Sequence, residues 1–221
     1  MDFLVHKLIG KAEAAKCLES IESDQMSWES GKRTAGTHAA ELKDNLQLNR
    51  NSKIAIENVE IIRKAITSDQ LIKSFSLPRK IHGVMFTKTS ENQGYGIHID
   101  NPYMSSGRSD LSFTLFLNDP EEYEGGELSI HTLQEVKKFK LAQGHLVIYP
   151  STSLHSVEQV KSGQRVVCVG WIQSYVSNND DRTLLFGLDA GAKGLLAKHG
   201  RSAELDLVFQ SYSNLLRRLG D

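Results

Sequence analysis

The stretch Leu111-Ser-Phe-Thr-Leu-Phe-Leu117 is the clearest β-strand in the sequence. Leucine or phenylalanine recurs at every second position, and because strand side chains alternate between two faces, one face is continuously apolar. Similar short runs lie on both sides of it, at residues 80–88, 123–130, 145–149 and 164–172. Short strands at this spacing predict a closed or sandwich-like β architecture.

Segments of helical pattern flank this β region. Residues 3–9 alternate like a first strand, and residues 11–21 are rich in alanine, glutamate and lysine, which predicts a helix. Residues 28–51 are expected to form a loop with at most one strand. Residues 54–75 predict one amphipathic helix, which Leu77-Pro78 ends. Residues 180–198 and 203–219 predict two helices that form a hairpin.

These elements predict an α+β fold in three parts. We expect an N-terminal α/β support region over residues 1–78, a β core over 79–175 and a C-terminal helical segment over 176–221. The apolar positions of the last segment must be buried, and packing on the same chain is the expected arrangement. Capping of the core, partner recognition and homodimer formation stay open as its role.

Composition excludes several classes of protein. The 221 residues carry 26 basic and 27 acidic side chains, so no strongly basic surface for nucleic acid is expected. No apolar run approaches the roughly 20 residues of a membrane span, and the first residues do not resemble a secretory signal. The two distant cysteines, Cys17 and Cys168, favour a reducing compartment, so a cytoplasmic protein is expected.

The tripeptide His98-Ile-Asp100 contains two of the candidate metal ligands. Because strand side chains alternate, His98 and Asp100 point to the same side. A single His-x-Asp is usually only a polar surface strand. With a second imidazole from His155 the three side chains could occupy one face of a metal ion, and two histidines with one carboxylate are the ligand set of non-haem Fe(II) oxygenases.

Several motifs in the same order resemble the bacterial PKHD-type hydroxylases, relatives of the catalytic domain of prolyl 4-hydroxylases, along essentially the whole chain. The resemblance implies a double-stranded β-helix (jelly-roll) core and hydroxylation coupled to conversion of 2-oxoglutarate to succinate and CO2. It implies Fe(II) held by His98, Asp100 and His155, 2-oxoglutarate bound by Arg165, and L-ascorbate as a supporting reductant. The matching motifs are Tyr95-Gly-Ile-His-Ile-Asp100, Arg108 to Leu117, Tyr123-Glu-Gly-Gly-Glu-Leu128, Tyr149-Pro-Ser-Thr-Ser-Leu-His155 and Arg165 to Ser174.

Two residues are candidates for the carboxylate of 2-oxoglutarate. Arg165 shares its strand face with Val167 and Val169, so it points inward if that face is internal, and a buried arginine requires an anionic partner. Tyr95 lies three residues before His98, which in a regular strand would point it to the other side. Its neighbouring glycines could break the regularity, and a packing role for Tyr95 is an equal alternative.

Other polar residues allow weaker predictions. Arg108 and Tyr103 are candidates for the substrate side of the site, although an ion pair of Arg108 with Asp110 is the preferred interpretation. Gly125-Gly126 predicts a hairpin turn. The remaining histidines are expected in the core or hydrogen-bonded (His82, His131 and His145) or at the surface (His6, His38 and His199).

The sequence thus predicts an Fe(II)- and 2-oxoglutarate-dependent dioxygenase acting on an unidentified small-molecule or peptidyl substrate. A metal-binding β-barrel that senses iron or oxygen without turnover is the main alternative, although such a sensor has no use for Arg165. A zinc hydrolase with the same three ligands is a second alternative, and the motif offers it no additional general base.

Overall fold

The computed structural model describes residues 3–34 and 41–221, and two β-sheets form its centre. The larger sheet has the strand order β1-β13-β9-β15-β5-β4-β2, with β10 paired beside β15. The smaller sheet has the order β12-β11-β14-β6-β3, and β7 and β8 form a separate ribbon. The strands are β1 Leu4–Lys7, β2 Trp28–Ser30, β3 Lys43–Asp44, β4 Leu46–Leu48, β5 Pro78–Ser90, β6 Gly94–His98, β7 Tyr103–Met104, β8 Gly107–Arg108, β9 Leu111–Phe116, β10 Tyr123–Gly125, β11 Leu128–His131, β12 Val136–Phe139, β13 His145–Pro150, β14 Leu154–Val157 and β15 Val160–Ser174.

Five α-helices and three short 3-10 helices occur in the described ranges. The α-helices are α1 Lys11–Glu22, α2 Lys53–Ser68, α3 Gln70–Ser76, α4 Asn179–His199 and α5 Ala203–Leu219, and the 3-10 helices are Gln25–Ser27, Gly31–Thr34 and Pro120–Glu122. None of these helices is long and apolar enough to cross a lipid bilayer.

The N-terminal part differs from the expected pattern in two places. The single helix predicted over 54–75 is wrong, because Asp69 interrupts it in an extended conformation and its side chain accepts a hydrogen bond from the Ile72 amide at 2.9 Å, which caps α3. The prediction of a loop with at most one strand over 28–51 is wrong, because the described part of this range, which excludes 35–40, contains three strands. β2 and β4 extend the larger sheet, and β3 extends the smaller one. This region therefore contributes to both sheets.

Strand alternation assigns the two faces of the larger sheet to different layers. On β9, Leu111, Phe113 and Leu115 pack with α1, α2 and α3 in the main apolar core. Side chains on the other face of this sheet, such as Phe116 of β9 and Val167 of β15, pack between the two sheets. The predicted sandwich-like architecture is therefore present, with helices covering one side of the larger sheet and the smaller sheet covering the other.

The C-terminal helices form the predicted hairpin, and it packs on the same chain. Leu185 of α4 forms a small core with Leu77 and Val176, and α5 adds partly buried apolar side chains to it. The N-terminal end of α4 is capped by Asn178, whose side chain accepts hydrogen bonds from two amides of the first turn.

Gly125 and Gly126 connect the two sheets, so the predicted hairpin turn is wrong. β10 pairs with β15 in the larger sheet, whereas β11 pairs with β12 and β14 in the smaller one. Both glycines have positive φ, at 75° and 69°. A Cβ atom on Gly125 would lie 2.2 Å from the carbonyl oxygen of Gln159, so backbone geometry and close packing both require glycine there.

Substitution of Gly125 tests this connection. We expect Gly125→Ala to lower the free energy of unfolding by about 2–4 kcal/mol, because left-handed strain and a backbone clash add together. Gly187→Ala is a matched control, since Gly187 lies inside α4 with no atom within 4 Å of an added Cβ. It should raise the same free energy by about 0.5–1 kcal/mol. Equal effects of the two substitutions on the free energy of unfolding in urea would show that this connection does not require glycine at position 125.

Candidate active site

A cavity of about 690 Å³ opens between the two sheets. Its wall combines β6 and β14 of the smaller sheet with the inward faces of β9, β13 and β15 of the larger one. Among its lining residues are the predicted ligands His98, Asp100 and His155 together with Arg165 and Tyr95. The structure thus brings into one cavity five residues that lie up to 70 positions apart in the sequence.

The three predicted ligands face one point. His98 and His155 stand directly opposite each other on the antiparallel pair β6 and β14. One potential ligand atom from each of His98, Asp100 and His155 lies within 4.8 Å of the other two, and His155 Nε2 is 3.8 Å from Asp100 Oδ2. These distances suit three donors sharing one metal ion.

Hydrogen bonds fix the imidazole tautomers. His98 Nδ1 lies 2.8 Å from the Gly96 carbonyl oxygen, and His155 Nδ1 lies 3.0 Å from that of Ser153. A carbonyl oxygen only accepts, so each Nδ1 carries a proton and Nε2 is the nitrogen left to bind a metal. Burial, followed by the nearby His155, lowers the pKa of His98 and favours its neutral, metal-binding form.

Asp100 is oriented by a pair of serines that the sequence interpretation missed. Ser112 Oγ donates to Asp100 Oδ2 at 2.6 Å, and Ser112 Oγ lies 2.7 Å from Ser151 Oγ. The alternation of β9 already indicates a polar face, because Ser112 and Thr114 are the polar positions opposite its apolar face. A hydrogen-bonded carboxylate keeps one geometry, which improves metal binding.

Removal of the Ser112 hydroxyl should therefore weaken metal binding without unfolding the protein. We expect Ser112→Ala to lower Fe(II) affinity by about 10- to 100-fold, as is usual for groups that orient ligands. Competition with a chelator under anaerobic conditions measures this affinity. Ser211→Ala, on the exposed side of α5, provides the control. An unchanged affinity in Ser112→Ala would show that the serine does not orient Asp100.

Arg165 is a buried cation with no ion-pair partner among the described residues, although the charge of Glu127 acts on its pKa. Its side chain is on the inward face of β15, and the residue is 2% exposed. Its guanidinium carbon lies 5.5 Å from the centre of the Phe116 ring, and the structure records no hydrogen-bond partner for Nε among the residues it describes. Burial lowers the pKa of Arg165, yet a guanidinium stays charged in proteins. Such a group requires an anionic ligand.

Tyr95 reaches the site because β6 contains a bulge. Val157 pairs with Tyr95 and His155 with His98, so a single residue of β14 lies opposite two residues of β6. The additional residue reverses the alternation, and the Tyr95 ring stacks on the His98 ring with centroids 3.6 Å apart. Burial, followed by the charge of Asp100, raises the pKa of Tyr95 to about 12, so its hydroxyl is protonated at neutral pH.

The donor set fits Fe(II) with 2-oxoglutarate. Two imidazoles and one carboxylate converge within 4.8 Å, and this is the donor set of non-haem Fe(II) sites. The guanidinium of Arg165 lies in the same cavity with no ion pair to any described residue, which suits the carboxylate that 2-oxoglutarate would present.

The other predicted residues have different surroundings. Tyr103 is 75% exposed and lines the cavity mouth. Arg108 donates to Asp110 at 2.7 Å and to Asp221 at 2.7 Å, and it is not among the cavity-lining residues in the described part of the chain. His82 is hydrogen-bonded to Ser106 and the Arg108 carbonyl. His38 lies outside the described residues.

Sequence interpretation also missed the polar side of the cavity. β3 joins the smaller sheet beside β6, and β4 joins the larger sheet beside β5, so residues 43–50 span the gap between the sheets. This segment contributes four polar side chains to the cavity wall: Lys43, Asn45, Gln47 and Arg50. The local sequence pattern does not predict that these four side chains line the cavity, because their position depends on pairing with strands some 40–50 residues away.

Comparison with known proteins agrees with this chemistry. Residues 84–173 match the model of the 2OG-Fe(II) oxygenase superfamily. A PKHD-type hydroxylase of Prochlorococcus marinus strain SARG is 66% identical over 220 residues and covers all of both chains. Another PKHD-type hydroxylase, of P. marinus strain MIT 9313, is 62% identical over 220 residues with the same coverage.

Solved structures share the fold. A prolyl-4-hydroxylase of Pseudomonas putida superposes with a TM-score of 0.56 at 14% identity, over 78% of this chain and 92% of the other. A prolyl hydroxylase of Trichoplax adhaerens, in complex with a peptide fragment of the hypoxia inducible factor oxygen degradation domain, superposes with a TM-score of 0.59 at 14% identity, over 83% and 86%. The double-stranded β-helix core predicted from the resemblance is thereby confirmed.

Proposed function

The chain belongs to the PKHD-type hydroxylases of the 2OG-Fe(II) oxygenase superfamily, and from this premise we propose the role of each residue in its site. The protein is an Fe(II)- and 2-oxoglutarate-dependent hydroxylase. In our proposal His98, Asp100 and His155 hold the iron, and Arg165 binds the distal carboxylate of 2-oxoglutarate. The proposal is carried by one observation: the buried guanidinium of Arg165, with no ion-pair partner in the described part of the chain, lies in the same cavity as the three converging ligands.

Each residue contributes positioning or charge. Fe(II), when bound, supplies the oxygen chemistry that couples decarboxylation of 2-oxoglutarate to succinate and CO2 with hydroxylation of a substrate C–H bond. The carbonyls of Gly96 and Ser153 hold the two imidazoles in the binding tautomer, and Ser112 holds the carboxylate of Asp100. Arg165 orients 2-oxoglutarate through a charge-assisted pair.

Tyr95 supports His98 in this proposal. Its ring packs face to face on the imidazole at 3.6 Å, which restricts rotation of the His98 side chain. Its protonated hydroxyl provides a hydrogen-bond donor in the same cavity, available to a carboxylate of 2-oxoglutarate. Tyr103, exposed at the mouth, is proposed to contact the substrate, whereas the ion pairs of Arg108 support a structural role for that residue.

Binding of 2-oxoglutarate to the metal-loaded protein tests the proposal. Mn(II) replaces Fe(II) so that no turnover occurs, and isothermal titration calorimetry measures binding of 2-oxoglutarate with and without the metal. We expect one 2-oxoglutarate per chain and tight binding only when metal is present. A metal sensor without turnover requires no 2-oxoglutarate, so absence of binding to folded, metal-loaded protein would favour that alternative.

The nature of the substrate and the cellular setting extend the proposal. A small-molecule or peptidyl substrate suits an open cavity of about 690 Å³, and the Trichoplax structure of the same fold holds a peptide.

Both cysteines in the described residues are free and buried, which supports a cytoplasmic location. The use of ascorbate as a reductant stays a prediction, which ascorbate-dependent turnover would test. Formation of a homodimer stays a prediction as well, and light scattering measures it.

A further inference from the structure

The polar segment that spans the gap between the sheets places positive charge beside the proposed iron site. Lys43 pairs with Tyr95 across β3 and β6, and its Nζ lies 5.2 Å from the centre of the Tyr95 ring. The same tyrosine ring stacks on the His98 imidazole, with 3.6 Å between the centroids. The Lys43 ammonium therefore belongs to the cavity wall next to the metal ligands.

Arg50 is the second cation of this wall, and its own partner is weak. Nη2 of Arg50 lies 3.3 Å from the Met85 sulphur, a thioether that accepts hydrogen bonds poorly. Within residues 3–34 and 41–221 the structure records no carboxylate in an ion pair with Arg50. Its guanidinium lines the cavity and also an adjoining hollow of about 310 Å³. Most of its N–H groups therefore remain available to a ligand.

The proposed occupants of the iron site do not neutralise the charge of Arg50. Fe(II), Asp100, Arg165 and the two carboxylates of 2-oxoglutarate are neutral as a group. Asp100 is the only carboxylate among the described lining residues, and it is used within that group. The guanidinium of Arg50 therefore gives the part of the cavity around it a positive potential, which attracts anions and disfavours cationic ligands.

We infer that the substrate carries an acidic group, a carboxylate or phosphate, which binds to Arg50 and Lys43 while the oxidised carbon faces the iron site. This inference rests on the proposed function, because the charge balance includes iron and 2-oxoglutarate. Arg50 supplies the planar guanidinium that matches a two-oxygen anion, and Lys43 adds a point charge. Asn45 and Gln47 lie between them in the sequence and line the same wall.

Relaxation of probe protons by Mn(II) tests this inference. The protein is loaded with Mn(II) and saturated with 2-oxoglutarate, so that Arg165 is occupied and no turnover takes place. Two pairs of probes are titrated: the capped peptides acetyl-Glu-Pro-Glu-amide and acetyl-Gln-Pro-Gln-amide, and the small molecules glutarate and glutaramide. Only probes bound near the metal relax strongly, so surface binding does not contribute.

We expect the acidic member of at least one pair to bind at least about tenfold more tightly than its amide counterpart, as one charge-assisted contact requires. Arg50→Gln and Lys43→Gln should each remove most of this preference, whereas Arg218→Gln, exposed on α5, should retain it. A preference in the peptide pair alone indicates an acidic peptide, and one in the small-molecule pair alone indicates a free acid.

Two results would overturn the inference: equal or absent binding of both members in both pairs, or a preference that persists in Arg50→Gln and in Lys43→Gln. Arg50 is at the open side of the cavity, so Arg50→Gln is expected to fold, and it keeps the test valid if Lys43→Gln does not. Failure of wild-type protein to bind 2-oxoglutarate would instead contradict the proposed function, which separates the two failures.

Discussion

Replacing Asp100 with alanine is expected to lower Fe(II) affinity by more than about 100-fold, beyond the loss usual for a group that only orients a ligand. The carboxylate is the single anionic donor among the three residues that converge within 4.8 Å, so two neutral imidazoles alone would hold the cation weakly. Release of succinate from 2-oxoglutarate should fall to background. Anaerobic chelator competition and NMR quantification of succinate measure the two quantities.

Asp180→Ala is the matched control for this experiment. Asp180 lies in the exposed first turn of α4, so its replacement removes one carboxylate without touching the cavity. Iron affinity and succinate release should remain at wild-type values in this variant. Full iron affinity in folded Asp100→Ala would remove Asp100 from the ligand set.

Replacing Arg165 with alanine should raise the Kd for 2-oxoglutarate by about 30-fold or more, because loss of one partner of a buried charge pair costs about 2–5 kcal/mol. The arginine is 2% exposed and Nε has no partner among the described residues, so its ligand provides the missing contacts. Fe(II) affinity should stay near the wild-type value, since Arg165 is not one of the three converging ligands. Calorimetric titration with 2-oxoglutarate and chelator competition separate the two effects.

Arg165→Lys distinguishes the guanidinium from the charge. A lysine retains the positive charge but cannot bind a carboxylate through two parallel hydrogen bonds, so an intermediate Kd is expected. If 2-oxoglutarate bound equally well to wild type, Arg165→Lys and Arg165→Ala, another residue would have to bind its carboxylate. Tyr95, which lines the same cavity, would then be the next candidate.

Regular strand alternation explains which parts of the site could be predicted. It placed His98 and Asp100 on one side, and it placed Arg165 with Val167 on the inward face of β15. The Arg165 prediction needed only the period of two that every strand follows. Asp100 lies two residues beyond the end of β6, and its carboxylate nevertheless converges with His98. Tyr95 could not be decided in this way, because the bulge that turns it toward His98 is visible only when β6 is paired with β14.

Long-range pairing explains what local patterns missed. The break between α2 and α3 depends on Asp69, which the apolar periodicity of the surrounding residues conceals. Gly125 and Gly126 are compatible with a hairpin turn, and only the different partners of β10 and β11 show that they cross between sheets. Likewise, Lys43 and Arg50 enter the cavity because β3 and β4 join opposite sheets.

Succinate formation from 2-oxoglutarate is the most direct test of the central claim, that this protein is an Fe(II)- and 2-oxoglutarate-dependent hydroxylase. Metal-free protein is divided and supplied with Fe(II), Zn(II) or no metal, and succinate is quantified by NMR under air. We predict succinate only with Fe(II), and its loss when O2 is removed. Folded, iron-loaded protein that binds 2-oxoglutarate but releases no succinate, or releases equal amounts with Zn(II), would contradict the claim.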